Sequence, residues 1–198
     1  MRLYWPVALR PAFDALVGLD DVLGQVVATS SQPALGAIRL AWWRDALERL
    51  DSGPPPAEPH LQSAAVELLP RGVSGKALAR IAEGWAALFD EIRDTQAIGM
   101  RGEALFACGA VLLDRNDPQL AEAGRWFALG DTARRGLAPV PDIPMGRLRF
   151  PRRLRPLTGL ARLAVRDLAH GEPFEPEATP GRAAALLRHR WSGVLRSD

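Results

Sequence analysis

Three charged residues lie where helical periodicity predicts apolar side chains: Asp20, Arg39 and Asp131. When the helices predicted around them are projected at about 100° per residue, each of the three falls within an apolar face. An unpaired charge in a protein core costs several kcal/mol, so each of these residues needs a partner or a polar environment. Two interpretations are open: a buried ion pair of Asp20 with Arg39, shared with Asp131, or a polar ligand pocket inside a helical bundle.

The three apolar faces consist of aliphatic and aromatic residues at helical spacing. The face around Asp20 contains Phe13, Leu16, Val17, Leu23 and Val27. The face around Arg39 belongs to the stretch IRLAWWRDALERL (38–50) and its neighbours, and contains Leu35, Leu40, Trp42, Trp43, Ala46, Leu47 and Leu50. The face around Asp131 contains Leu120, Gly124, Phe127 and Ala128. Because Gly124 and Ala128 are small, we expect another backbone to approach closely there.

Helices joined by proline- and glycine-rich loops are the elements that must position these residues. Apolar residues recur at helical spacing, whereas the alternating pattern of strands is scarce. The predicted helices span residues 10–29, 33–51, 61–69, 74–97, 101–115, 117–136, 157–170 and 180–195. The proline-rich loops 52–59 and 138–156 are predicted to connect helices of one bundle. We therefore predict an all-α fold with a single domain over residues 1–198.

Composition narrows the class of protein further. The chain has 198 residues, of which 47% are hydrophobic, and this favours a globular protein. No apolar run approaches the roughly 20 residues that span a bilayer. The N-terminal stretch MRLYWPVALRP lacks the apolar region of a signal peptide, so we expect a cytoplasmic protein. Cys108 is the only cysteine, which excludes an intrachain disulfide and a multi-thiolate zinc site and predicts a small buried residue.

One acidic motif and three histidines have side chains of the types that bind metals. The stretch LFDEIRD (88–94) has the D-x-x-x-D spacing that suits Mg²⁺. The projection turns Asp90 and Asp94 away from the buried face, which is formed by Leu78, Ile81, Trp85, Leu88, Phe89 and Ile92. These acids are therefore predicted to form a solvated edge. His60, His170 and His189 lie far apart in sequence and lack the spacing of metal ligands.

The stretch GRLRFPRRLRP (146–156) concentrates positive charge around Phe150. Its arginines are Arg147, Arg149, Arg152, Arg153 and Arg155. This pattern is typical either of an arginine-rich surface loop or of a segment that contacts phosphates or an anionic membrane surface. Nucleic acid is not an expected partner, because the net charge of the chain is only +2 and no recognised nucleic-acid-binding motif is present.

Four segments together resemble the squalene/phytoene synthase family in its bacterial form. They are RPAFDALVGLDDVLGQVV (10–27), LGAIRLAWWRDALERL (35–50), RGEALFACGAVLL (101–113) and AEAGRWFALGDTARR (121–135), and they occur in the family's order. The resemblance implies a shortened helical bundle of the isoprenoid synthase (terpenoid synthase) type. In active members of that family, two facing helices with aspartate-rich motifs hold Mg²⁺, and two prenyl diphosphates are condensed head to head.

This sequence departs from the family pattern at both aspartate-rich motifs. The first corresponds to DDVLG, with Asp20 and Asp21 but Gly24 where a second acid is expected. The second corresponds to GDTARR, with Asp131 but Arg135 where a carboxylate is expected. Two inward acids are few for the several Mg²⁺ ions that neutralise diphosphate leaving groups. The connections near 96–101 and 137–151 are also shorter than in active members.

The resemblance and its departures imply a degenerate, non-catalytic relative that acts in assembly, as a scaffold or by binding lipid. A related branch without complete aspartate motifs resembles the mitochondrial complex I assembly factor, which implies a protein partner. The alternative is an active Mg²⁺-dependent prenyl transferase of isoprenoid biosynthesis. In that alternative the catalytic and metal-binding candidates are Asp20 and Asp131, and the candidates for prenyl diphosphate binding are Arg39, Arg134, Arg135 and Trp43.

Overall fold

A computed structural model describes residues 4–90 and 94–196 and confirms the all-α prediction. The α-helices in these ranges are α1 (Arg10–Thr29), α2 (Pro33–Arg49), α3 (Pro59–Glu67), α4 (Gly75–Ala86), α5 (Thr95–Leu112), α6 (Leu120–Arg134), α7 (Arg155–His170) and α8 (Pro180–Ser192). Short 3₁₀ turns cover Val7–Leu9, Leu69–Arg71, Ala87–Phe89 and Arg152–Leu154. Two short strands, β1 (Leu148–Arg149) and β2 (Val194–Leu195), pair antiparallel with Leu148 opposite Leu195.

Local sequence signals set several helix ends. Ser74, Asp94 and Thr179 are the N-caps of α4, α5 and α8, and each side chain accepts a hydrogen bond from a backbone N–H of the first turn. These bonds satisfy donors that a helix leaves unpaired at its start. α8 ends at Ser192, and the next residue, Gly193, has a left-handed φ of 70° that turns the chain directly into β2.

α5 is the central helix, and most of the other helices are arranged in order on either side of it. α5 lies between α4 and α6, α2 covers α4, and α7 and then α8 continue beyond α6. The approach of α5 to α6 is close, because a Cβ placed on Gly124 would lie 2.3 Å from the carbonyl oxygen of Gly102. This confirms the close approach that the small residues of 117–136 predicted. A Cβ on Gly84 would lie 2.5 Å from the Cβ of Arg101, so α4 also sits directly against α5.

The predicted burial of Arg39 is wrong. Arg39 is exposed, and its neighbours Leu35 and Trp42 are 55% and 44% exposed. Ala46 lies on the same side of α2 two turns further along the helix, and there it is fully buried. Neighbouring elements thus cover this side only in the second half of α2, whereas the projection assigned its whole length to the core.

The predicted helix 74–97 is two elements in the structure. α4 ends at Ala86 and continues as a 3₁₀ turn to Phe89, and α5 begins at Thr95. Asp90 and Asp94 are exposed, as predicted, but they do not share one helix, because Asp94 caps the start of α5. Glu91 and Ile92 lie outside the described residues. Within the ranges 4–90 and 94–196, no helix has the length and apolar character needed to cross a membrane.

Candidate functional site

Asp20 is buried between α1, α4 and α5 and accepts hydrogen bonds from two side chains. It is 2% exposed. Its Oδ1 accepts from the indole Nε1 of Trp85 at 2.9 Å and from Nη1 of Arg101 at 3.0 Å, and its Oδ2 accepts from the same Nη1 at 2.8 Å. Asp20 therefore has the buried cationic partner that its position required, but this partner is Arg101 on α5 and not Arg39.

Arg101 joins the two predicted acids. It is fully buried, and its Nη2 donates to Oδ2 of Asp131 at 2.9 Å and to the carbonyl oxygen of Ala128 at 3.1 Å. The guanidinium carbon lies 3.9 Å from the centre of the Trp85 ring, a distance at which a cation is attracted by an aromatic face. The Nε of Arg101 is buried without a hydrogen-bond partner among the described residues. Asp20 and Asp131 thus meet, as predicted, but through one guanidinium between them.

Arg135 closes the solvent side of this group. Its Nε lies 3.1 and 3.0 Å from the two oxygens of Asp131, and its Nη2 donates to Oδ1 of Asp21 at 2.7 Å. Exposure rises outward: the side chain of Asp131 is 19% exposed, that of Arg135 30% and that of Asp21 50%. The result is an ordered group of three carboxylates and two guanidiniums. We call the three buried or half-buried members the Asp20–Arg101–Asp131 network, and Arg135 and Asp21 extend it towards solvent.

Burial and charge act against each other on the ionisable groups of the network. Burial raises the pKa of Asp20, and Asp131 adds to this, whereas Arg101 and the Trp85 N–H oppose it. All of the hydrogen bonds that Asp20 receives come from N–H donors, which fit an ionised carboxylate. Burial acts to lower the pKa of Arg135, but Asp131 and Asp21 outweigh it and hold that pKa above its usual value.

Mg²⁺ does not fit between these carboxylates. All four oxygens of Asp20 and Asp131 accept hydrogen bonds from N–H groups of Trp85, Arg101 or Arg135. A Cβ on Gly24, where the family pattern places a second acid, would lie 2.9 Å from the Trp85 ring and 3.0 Å from Arg135 Nη1. A divalent cation needs free oxygen ligands with room for water, and these positions are filled by an indole and a guanidinium.

The remaining predicted site residues lie in other surroundings. Trp43 is 6% exposed and packs edge-on against Trp42, with the ring centres 5.4 Å apart. Arg134 points towards the loop between α7 and α8, where its Nε donates to Oε1 of Glu177 at 2.8 Å. Of the diphosphate-binding candidates, only Arg135 contacts the Asp20–Arg101–Asp131 network.

Arg134 belongs to a second ion-pair group that ties α6, α7 and α8 together. Asp167 and Arg182 are 3% and 5% exposed and form a short charge-assisted hydrogen bond. Nη1 of Arg134 lies 3.3 Å from the same Asp167 carboxylate. Arg166 donates to Glu175 at 2.6 Å, which fixes the loop between α7 and α8. This group has the geometry of a structural anchor for the loop.

His189 and Cys108 are buried ionisable groups with perturbed pKa values. His189 Nε2 lies 2.9 Å from Thr158 Oγ1, and Nδ1 lies 3.1 Å from the carbonyl oxygen of Val194. Burial lowers the pKa of His189 to about 4, so the ring is neutral near pH 7. Burial also raises the pKa of Cys108 to about 12, which makes this thiol a poor nucleophile and confirms it as a small core residue.

Sequence reasoning missed Arg101, the residue that organises the site. The predicted helix 101–115 includes Arg101, but no buried face was assigned to that helix. In the structure α5 begins at Thr95, and Arg101 shares a side with Leu105, Cys108 and Leu112, all of which are buried. An arginine at this spacing from three apolar residues is the signal that would have identified it.

Comparisons with known proteins add no functional residue. No protein-family model, curated protein or solved structure matches this chain. Within residues 4–90 and 94–196, no three His, Cys, Asp or Glu side chains converge in a way that would hold a metal ion. Membership of the squalene/phytoene synthase family therefore stays a prediction from the segments described above.

Proposed function

We propose that this chain is a non-catalytic protein of the squalene/phytoene synthase type, which acts by binding, in assembly or as a scaffold. The observation that carries the proposal is the position of Arg101. Its guanidinium lies between Asp20 and Asp131, the two acids that the family resemblance assigns to Mg²⁺. A permanently attached cation there neutralises the carboxylates that an active enzyme would use for a metal.

Electrostatics explains why this arrangement opposes metal-dependent chemistry. Mg²⁺ would have to displace the Arg101 guanidinium from Asp20, and the displaced charge would remain in a site that is fully buried. Removing one partner of a buried ion pair costs about 3–5 kcal/mol. Arg135 adds a second guanidinium at Asp131, so a metal would also meet direct repulsion. Both effects disfavour the binding of a metal–diphosphate complex.

A turnover assay tests the proposal. The purified protein is incubated with farnesyl diphosphate or geranylgeranyl diphosphate and Mg²⁺, and released inorganic diphosphate is measured with Asp20→Asn as the matched control. We expect no release above that of the control, because the acids are already paired.

The alternative function, an active prenyl transferase, makes the opposite prediction. It requires Mg²⁺-dependent release of diphosphate that Asp20→Asn and Asp131→Asn abolish. It also requires a cationic residue that faces the substrate, a role predicted for Arg39, which is exposed on α2. Reproducible turnover of this kind would overturn the non-catalytic proposal.

A further inference from the structure

Two ranges in the C-terminal third of the chain are rich in arginine and lack acidic residues, and the acids Asp167, Glu172, Glu175 and Glu177 lie between them. Residues 143–166 contain seven arginines and residues 180–197 contain four, and neither range contains Asp or Glu. The net charge of the whole chain is only +2, so the rest of the chain has an excess of negative charge. Such an asymmetry within one domain is typical of a surface that meets an anionic partner.

The fold brings these two ranges together at one place. β1 pairs with β2, with Arg149 opposite Val194, and the N–H of Phe150 donates to the carbonyl oxygen of Gly193. Nη1 of Arg155 donates to the carbonyl oxygens of Arg190 and Trp191, each at 2.8 Å. The arginines of 147–155 and the end of α8 therefore form one surface, which we call the C-terminal arginine face.

Two large apolar side chains project from this face. Trp191 is 83% exposed, and Leu187, one helical turn earlier on α8, is 57% exposed. Trp191 lines a common depression with Arg152, Arg155 and Arg190. Tryptophan beside arginine is characteristic of side chains at a membrane–water interface, where the ring enters the headgroup region and the guanidinium meets phosphate.

Several arginines of the face retain free charge. Arg147, Arg149, Arg152 and Arg190 have no carboxylate within 4.0 Å among the described residues. Arg153 lies 3.8 Å from Asp114, but both side chains are largely exposed, so this contact is weak. Arg155, in contrast, uses its guanidinium to donate to the backbone carbonyl groups of Arg190 and Trp191 at the end of α8.

We propose that the C-terminal arginine face docks on the surface of a bilayer that contains anionic phospholipid. Exposed arginines attract the headgroup phosphates, and Trp191 with Leu187 enters the interfacial region. The apolar pair favours a bilayer over nucleic acid, because an aliphatic side chain such as Leu187 gains little from a phosphate backbone. The inference rests on the proposed function, since a protein without turnover acts through its surface, but it draws on separate residues.

Vesicle sedimentation tests this inference. The protein is mixed with vesicles of phosphatidylcholine alone or with about 30% phosphatidylglycerol, at low and at high salt. We expect binding only to the anionic vesicles and a steep loss at high salt, because exposed charges are screened there. Arg190→Gln is expected to weaken binding about fivefold, the effect of removing one arginine near the surface. Trp191→Ala is expected to weaken it as well.

Matched variants on α2 control for charge and aromatic content. Trp42→Ala and Arg39→Gln remove an exposed tryptophan and an exposed arginine outside the C-terminal arginine face. They are expected to leave vesicle binding unchanged, and circular dichroism checks that every variant is folded.

Several results would overturn the inference. These are equal binding to neutral vesicles, no binding to anionic vesicles at low salt, or equal losses in the α2 controls. Displacement of the protein from vesicles by a single-stranded oligonucleotide at stoichiometric concentration would assign the face to nucleic acid instead. The two proposals fail separately: diphosphate release contradicts the non-catalytic function alone, and absent vesicle binding contradicts the docking surface alone.

Discussion

Replacing Arg101 by methionine tests the Asp20–Arg101–Asp131 network directly. Methionine keeps much of the length of the side chain and removes its charge and donors. Asp20 would keep only the Trp85 N–H as a donor, and Asp131 would keep only Arg135. Two carboxylates would then face each other in a site where Asp20 is 2% exposed. Like charges in such a site destabilise the folded state.

The expected loss is large relative to the stability of a domain. Breaking a buried ion pair by removing one partner costs about 3–5 kcal/mol. The free energy of unfolding of natural domains is about 5–15 kcal/mol, so Arg101→Met should remove a substantial fraction of it. Arg101→Lys should lose less, because it keeps the charge while losing the fork that reaches both acids.

Urea unfolding followed by circular dichroism measures the loss, with Arg39→Met as the control. Arg39 is exposed, so its replacement should change the free energy of unfolding little. The loss should also depend on pH. Without Arg101 the pKa of Asp20 in the folded state rises further, so the folded variant binds a proton more readily than the unfolded chain. Its stability relative to wild type should therefore recover as the pH falls from about 8 towards 5.

Two results would refute this reasoning. One is a loss for Arg101→Met no larger than that for Arg39→Met. The other is a loss that does not diminish on acidification, which would mean that an unpaired carboxylate is not its cause. If Arg101→Met fails to fold, the free energy of unfolding of Arg101→Lys is measured in its place over the same pH range. A loss for Arg101→Lys no larger than that for Arg39→Met would then refute the reasoning.

Three further outcomes are expected. Gly24→Asp should destabilise the protein by about 1–3 kcal/mol without creating Mg²⁺ binding, because its Cβ meets the Trp85 ring at 2.9 Å; urea unfolding and calorimetric titration with Mg²⁺ measure both. Burial lowers the folded-state pKa of His189 to about 4, so the unfolded chain takes up a proton on this residue before the folded protein does. The difference in the free energy of unfolding between wild type and His189→Gln should therefore shrink by up to about 3 kcal/mol as the pH falls from about 6.5 to 4. A difference that does not depend on pH would contradict this. Cys108 should react with a thiol-specific disulfide reagent only on unfolding, since it is 1% exposed and burial raises its pKa to about 12; rapid labelling of the folded protein would contradict its buried role.

Helical periodicity predicted that Asp20 and Asp131 face inward, although it did not identify the buried Asp167 of α7. Asp20 lies among the buried residues of α1, and Asp131 reaches the same group from α6. The bounds of α1 also agree with the predicted range 10–29. These features depend on spacing within one helix, and a single sequence contains that information.

The partner of these acids could not be predicted by the same means. Arg39 and Ala46 lie on one side of α2, but only Ala46 is covered by neighbouring elements. Coverage depends on how helices pack, which a projection of one helix does not contain. The burial of Arg101 was not predicted either. α5 begins at Thr95, six residues before the predicted start, so Arg101 lies inside the helix, where α5 packs between α4 and α6.

The C-terminal arginine face was predicted only in part. The arginines of 147–155 were recognised from the sequence, together with two interpretations. Their association with α8 follows from the pairing of β1 with β2, a contact between residues far apart in the chain. The exposure of Trp191 also depends on this packing, since tryptophan is more often a core residue.

A crystal structure of the protein grown with Mg²⁺ and a non-hydrolysable analogue of farnesyl diphosphate tests the central claim most directly. We expect Nη1 of Arg101 to remain within hydrogen-bond distance of both oxygens of Asp20, at 2.8 and 3.0 Å, and Nη2 to remain on Asp131. We expect no metal between the two carboxylates. A Mg²⁺ ion ligated by Asp20 and Asp131, with Arg101 displaced towards the diphosphate, would contradict the account.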